Sequence, residues 1–252
     1  MAVEIGRVLE KLDSYLKKEQ YLAAERHLKY WLDEADALGD PRGAFAILNE
    51  MVGFYRKQAM EPEGLAVCKR LTDLITQMGI EDSPGAATAY LNIATAYKSY
   101  GKTQDALPLY ERAREIYERD LDETDVRLAG LYNNMALALG ESLQYDEAST
   151  LYEQALSILS QSRGSEPEQA VTYLNLADLY VQKLGSEAAE SKVEEALKRA
   201  EDLLYLAWNS GQRDGNYAFV ASKCAPVFSH YGHFVYASTL QEREQNIRSS
   251  DI

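Results

Sequence analysis

Between Tyr90 and Tyr117 the chain reads YLNIATAYKSYGKTQDALPLYERAREIY, with apolar residues three and four apart on both sides of a Gly-Lys-Thr break. That pattern predicts two amphipathic helices joined by a short turn. The face expected to be buried carries Ala94, Ala106 and Ala113. Alanine is too small to fill a gap between separated helices, so the two helices are expected to press together at close range.

The same pattern recurs along the chain. Aligned on Ala94, the equivalent positions are Leu12, Val52, Ala136, Ala177 and Ala225, at separations of 40, 42, 42, 41 and 48 residues. Three residues after these anchors stand Tyr15, Tyr55, Tyr97, Leu139, Tyr180 and Phe228, and twelve after stand Ala24, Gly64, Ala106, Ala148, Ala189 and Ala237. Every residue of the second column is Ala or Gly, as a helix crossing point requires. The columns sixteen and nineteen after the anchors are apolar in five copies, whereas the sixth has Gln241 and Glu244, which suits a last helix with no neighbour to cover it.

Turn chemistry agrees with this phasing. Asp40-Pro41 and Ser83-Pro84 each place a capping residue before a proline at the first helical position, and Ser165 to Glu168 offers a capping-box pair. The predicted architecture is all-α: six stacked helix hairpins in one domain over residues 1–252, with repeats at about 5–38, 41–80, 84–120, 125–162, 167–206 and 216–248.

Composition narrows the function classes. With 26 Lys and Arg against 40 Asp and Glu, the net charge of −14 repels phosphate backbones and anionic lipid, so neither nucleic acid nor membrane is an expected partner. The N-terminal segment alternates charged and apolar residues, unlike a secretion signal, and no stretch approaches a membrane span, so a cytoplasmic location is expected. Cys68 and Cys224 lie too far apart in sequence for a dense disulfide framework and read as buried thiols.

The segments YLNIATAYKSYGKTQDALPLYERAREIY, LYNNMALALGESLQYDEASTLYEQALSIL and YLNLADLYVQKLGSEAAESKVEEAL resemble the tetratricopeptide repeat (TPR) family, in the roughly 42-residue variant of kinesin light chain. Weaker copies at both ends extend the resemblance over nearly the whole chain. It implies a right-handed superhelical solenoid whose first helices line a concave groove, and a function in binding protein or peptide.

On that resemblance, the concave wall is expected to include Asn49, Gly53, Arg56 and Lys57 from the second repeat and Thr88, Leu91, Asn92, Thr95, Lys98 and Ser99 from the third. The fourth would add Asn133, Asn134, Leu137 and Glu141, and the fifth Leu174, Asn175, Asp178 and Gln182. Asn92, Asn134 and Asn175 each stand two residues before an anchor, and an amide offers both donor and acceptor to an extended peptide backbone. The alternative is that each amide fastens a neighbouring helix. Arg56, Lys57 and Lys98 would put positive charge on the inner wall, to anchor an acidic segment or a terminal carboxylate, or else they are solvated helix ends. The carboxylate clamp of chaperone-binding relatives is not expected, because Gly130 and Asn134 occupy its basic positions.

Catalytic and metal signatures are weak. Cys224, His230 and His233 form a C-x5-H-x2-H run without the further ligands a structural zinc needs, and Gly101-Lys102-Thr103 lacks the upstream glycine-rich loop of a phosphate site. No enzyme, cofactor or metal is expected. The reading is an adaptor that holds a peptide or protein segment in its groove, as a monomer or weak homo-oligomer. Its rivals are a self-associating structural module and a peptide-sensing receptor without its output domain.

Overall fold

Twelve helices and no strand form the regular structure of residues 2–250, which the computed structural model describes without the side chain of Ser250. Positions 1, 251 and 252 of the expected domain lie outside the described residues. The helices divide between two compact units, Met1–Leu121 and Asp122–Ile252, of three hairpins each. The first unit holds the pairs α1 (Ile5–Lys17) and α2 (Tyr21–Ala37), α3 (Pro41–Lys57) and α4 (Glu61–Met78), and α5 (Pro84–Ser99) and α6 (Thr103–Asp120). The second holds α7 (Val126–Glu141) and α8 (Tyr145–Ser160), α9 (Glu166–Leu184) and α10 (Ser186–Asn209), and α11 (Gly215–His230) and α12 (Phe234–Ser250).

Close packing within each pair follows from the small residues. Ala24, Gly64 and Ala106 in the first unit, and Ala148, Ala189 and Ala237 in the second, are all buried. Four residues further along, Leu28, Cys68, Tyr110, Tyr152 and Val193 fill the space beside the crossing and are buried as well. Gln241, their counterpart in α12, is exposed, and Glu244 on the same helix accepts an ion pair from Arg248 at 2.9 Å. Successive pairs stack through their neighbours, α2 on α3 and α4 on α5 in the first unit, α8 on α9 and α9 on α11 in the second.

Gly64 is the one departure from alanine in its column, and the third repeat explains it. A Cβ at Gly64 would overlap the Tyr100 hydroxyl and come within 3.0 Å of its ring. Tyr100 reaches across to donate to the Met60 carbonyl at 3.5 Å, and burial pushes its phenol up to about 12. The missing methyl group of the second repeat is therefore the space taken by an aromatic ring of the third.

The caps divide into expected and unexpected. Asp40 accepts from the Gly43 N–H at 3.0 Å and Ser83 from the Ala86 N–H at 3.1 Å, each before a proline. The capping box at Ser165 does not form. Its hydroxyl turns back to donate to the Leu159 and Ser162 carbonyls at the end of α8, where the last carbonyls of a helix lack intrahelical partners.

Five of the six hairpin turns share one backbone solution. The N–H eight residues after the anchor bonds the carbonyl three after it, as in Gln20 to Tyr15 at 2.9 Å, Met60 to Tyr55 at 3.0 Å and Gln144 to Leu139 at 2.9 Å. This closure requires a left-handed residue between them. Glycine supplies it at Gly101 and Gly232, but Glu19, Ala59 and Leu143 adopt φ of 54°, 53° and 63°. The fifth repeat differs: α9 runs on to Leu184, and Gly185 both ends it and opens α10.

A left-handed L-residue costs roughly 1–2 kcal/mol, and glycine returns part of that as lost chain entropy. Leu143 is 71% exposed, so Leu143→Gly removes little packing. Thermal or urea unfolding of Leu143→Gly should show a stability gain of about 0.5–1 kcal/mol. Gly101→Ala should lose about as much. A loss at Leu143→Gly would mean that its side chain, not its backbone, holds the turn.

Candidate functional site

The expected asparagine column is paired, and the pairing follows a rule. Asn92 donates to Asn49 Oδ1 at 3.0 Å in the first unit, and Asn175 donates to Asn133 Oδ1 at 3.1 Å in the second. In each case the amide two residues before one anchor meets the amide three residues before the preceding anchor. Residues 43 and 42 apart in sequence thus join the first helices of adjacent hairpins, α3 to α5 and α7 to α9. Asn134 is different. Its Nδ2 donates to the Gly130 carbonyl at 2.8 Å, one turn back on its own helix.

Several other expected wall residues are engaged in packing. Thr95 donates to the Leu91 carbonyl at 2.8 Å and accepts from the Tyr110 hydroxyl at 3.2 Å. Thr88 shares a 2.6 Å bond with the Tyr117 hydroxyl. Asp178 accepts from the Tyr231 hydroxyl at 2.7 Å, and burial together with this carboxylate pushes the phenol well above its ordinary range. Leu174 is buried.

Arg56 and Lys57 occupy the last turn of α3, and Lys98 the last turn of α5. There a cation interacts favourably with the carbonyl end of its helix. Lys57 also faces Glu50, whose carboxyl is raised mainly by burial and by Asp13, against the pull of Lys57.

A cavity of about 460 Å³ lies in the second unit, at the first halves of α7, α9 and α11 and the turn after α8. Asn133 and Asn134 line it, together with Glu168, Val171, Thr172, Asn216 and Phe219. Of these, only the two asparagines were legible as wall residues. The others follow the same register extended by one or two turns: Gly130, Val171 and Phe219 stand six residues before their anchors, and Glu168 and Asn216 nine before. Carrying the helical periodicity back to the start of each first helix, and including α11, would have found them.

Glu168 is the one acidic residue of this lining. Asn216 Nδ2 donates to its Oε1 at 2.9 Å, while Oε2 is buried with no hydrogen-bond partner among the described residues. Thr172, 1% exposed, donates to the Glu168 backbone carbonyl at 3.0 Å, which steadies the first turns of α9.

The thiols and histidines form no reactive group. Burial pushes the Cys68 and Cys224 thiols up to about 12, which leaves little thiolate at neutral pH. His230 is exposed, and His233 lies 3.7 Å from the Glu194 carboxylate. Among the described residues no three His, Cys, Asp or Glu side chains come together as a metal site, and no helix is long and apolar enough to cross a membrane.

A family model described as "Tetratricopeptide repeat" matches residues 43–119 and 127–202. No curated protein matches the chain at the level of sequence. Among solved structures, BtubC (BKLC) from P. vanneervenii is similar at 23% identity and a TM-score of 0.70, over 80% of this chain and 81% of that one. A Rap protein complexed with Competence and Sporulation Factor is similar at 15% identity and a TM-score of 0.63, over 99% of this chain and 66% of that one. NprR in complex with its cognate peptide NprX is similar at 19% identity and a TM-score of 0.59, over 100% of this chain and 71% of that one. At these identities the likeness shows the fold.

The amide pairs generate a prediction. Asn92→Ala or Asn175→Ala removes the donor that joins two hairpins and should lower stability by about 1 kcal/mol in chemical unfolding. Asn134→Ala, which breaks only a bond within one exposed helical turn, should stay within about 0.5 kcal/mol of the parent. Equal losses at all three positions would contradict the pairing rule.

Proposed function

The chain belongs to the tetratricopeptide repeat family, and from that premise we propose that it is a non-enzymatic module that binds a peptide or protein segment along its first helices. The observation that carries this reading is the cavity on α7, α9 and α11, where amides and apolar side chains stand together. Each asparagine amide has two donor and two acceptor positions, so Asn133 and Asn134 can make their internal bonds and still meet a peptide backbone. For the first unit we propose a contact surface of its own, made by Asn49, Asn92 and Thr95 with Arg56, Lys57 and Lys98 at the helix ends. In the second unit Asn175 and Asp178, held in place by Asn133 and Tyr231, add to the proposed surface around the cavity. The peptide-bound NprR structure supports the class of ligand, since a related fold there accommodates one. Two buried free thiols suit a reducing compartment, and the proposed setting is the cytoplasm.

Selection from a random dodecapeptide display library tests this reading. Enriched peptides should bind the parent chain saturably and Asn134→Ala roughly tenfold more weakly, with melting unchanged. Failure to enrich any peptide, or enriched peptides indifferent to every first-helix substitution, would remove the groove from the proposal.

A self-association reading has one observation in its favour. Phe234 and Val235, at the start of the last helix, are 65% and 84% exposed. Exposed apolar pairs of this kind mark contact surfaces when they are contiguous with others. Sedimentation equilibrium should report the mass of one chain, 28.3 kDa, if that pair is only a surface feature. A dimer mass abolished by Val235→Glu would establish the second reading instead.

A further inference from the structure

We infer that the cavity of the second unit is a pocket for a guanidinium group, the arginine side chain of a bound peptide. The source of that arginine rests on the peptide-binding reading; the chemistry of the pocket does not. Glu168 uses Oε1 for Asn216 and leaves Oε2 buried with no protein donor. A buried carboxylate oxygen without a donor is among the more costly arrangements in a folded protein, and a charge-assisted donor is the group that relieves it best.

The surroundings choose between cations. An ammonium is compact and strongly hydrated, whereas a guanidinium is planar, weakly hydrated, and offers a fork of donors beside a face that stacks on aromatic rings. Phe219, 51% exposed, provides such a ring in the lining, with the Lys223 ammonium 5.5 Å from its centroid, and Val171 and Val220 provide apolar wall for an aliphatic stem. Gly130, also in the lining, leaves room: a Cβ added there would meet nothing within 4 Å.

Charge points the same way. Residues 122–252 contain ten Lys and Arg against twenty Asp and Glu, so the second unit attracts a cationic segment over distance. Arg163 is the one cation in the lining, and it opposes a second guanidinium. It is exposed in the turn after α8 and screened by solvent, while Glu168 Oε2 is buried.

The test is an NMR titration of the full chain with N-acetyl-arginine methylamide and with its neutral isostere, N-acetyl-citrulline methylamide. The arginine probe should shift the amide signals of Gly130, Val171, Thr172 and Phe219 saturably, and the citrulline probe should bind at least about tenfold more weakly. Glu168→Gln should abolish the preference between the two. Gly130→Leu, which adds a helix-favouring residue into open space, should block both. Equal binding of the two probes, no saturation by the arginine probe, or shifts confined to other residues would overturn the assignment. If Glu168→Gln loses the fold, the contrast between probes on the parent chain decides alone. A chain that binds selected peptides but ignores the arginine probe keeps the peptide reading and loses the pocket; one that binds the probe but enriches no peptide does the reverse.

Discussion

The distance of closest approach between the two helices of a hairpin governs the rest of this structure. The second helix of every hairpin carries Ala or Gly at one register position, and all six of these residues are buried. A larger residue there would add volume to a packed core at a cost of about 1–3 kcal/mol. Because the helices touch, the aromatic and aliphatic residues four positions on can fill the flanks of the crossing. Hairpins built this way stack with first helices adjacent, and that adjacency places asparagines more than forty residues apart within hydrogen-bond distance.

Much of this was legible from the chain because the repeat restates it. A column of six small residues at one register position is hard to produce by any route other than close packing, and Gln241, polar where five repeats are apolar, is exposed. What escaped notice has physical reasons. The left-handed turn residues Glu19, Ala59 and Leu143 carry no glycine signature, because the backbone bond that closes the turn fixes their conformation. Ser165 has a capping sequence, yet the preceding helix end offers its hydroxyl two carbonyls, and those win. The asparagines were visible as one column, but their partners stand in the neighbouring column of the previous repeat. No comparison within a single column reveals such a pairing. The cavity escaped because its wall begins nearer the helix starts than the anchors suggested.

Electrostatic character differs between the units. In the first, the candidate cations Arg56, Lys57 and Lys98 sit at helix C-termini, where the helix itself holds them. In the second, acidic residues outnumber basic ones two to one, and one carboxylate oxygen of Glu168 is removed from solvent. The thiols are held protonated by burial, and the described histidines join no cluster of ligands.

The fit of Tyr100 against Gly64 bears on how such an array can evolve. Repeats that met only through interchangeable faces could be duplicated, deleted or shuffled singly, each new copy finding the same surface on its neighbour. Here the second copy is hollowed to receive a side chain from the third. A duplicate of the third hairpin inserted elsewhere would present its tyrosine to an alanine, and a consensus copy in second place would present an alanine to the tyrosine. At that junction the second and third hairpins are matched to each other in shape, and neither neighbour can be exchanged for an alanine-bearing copy without moving the ring.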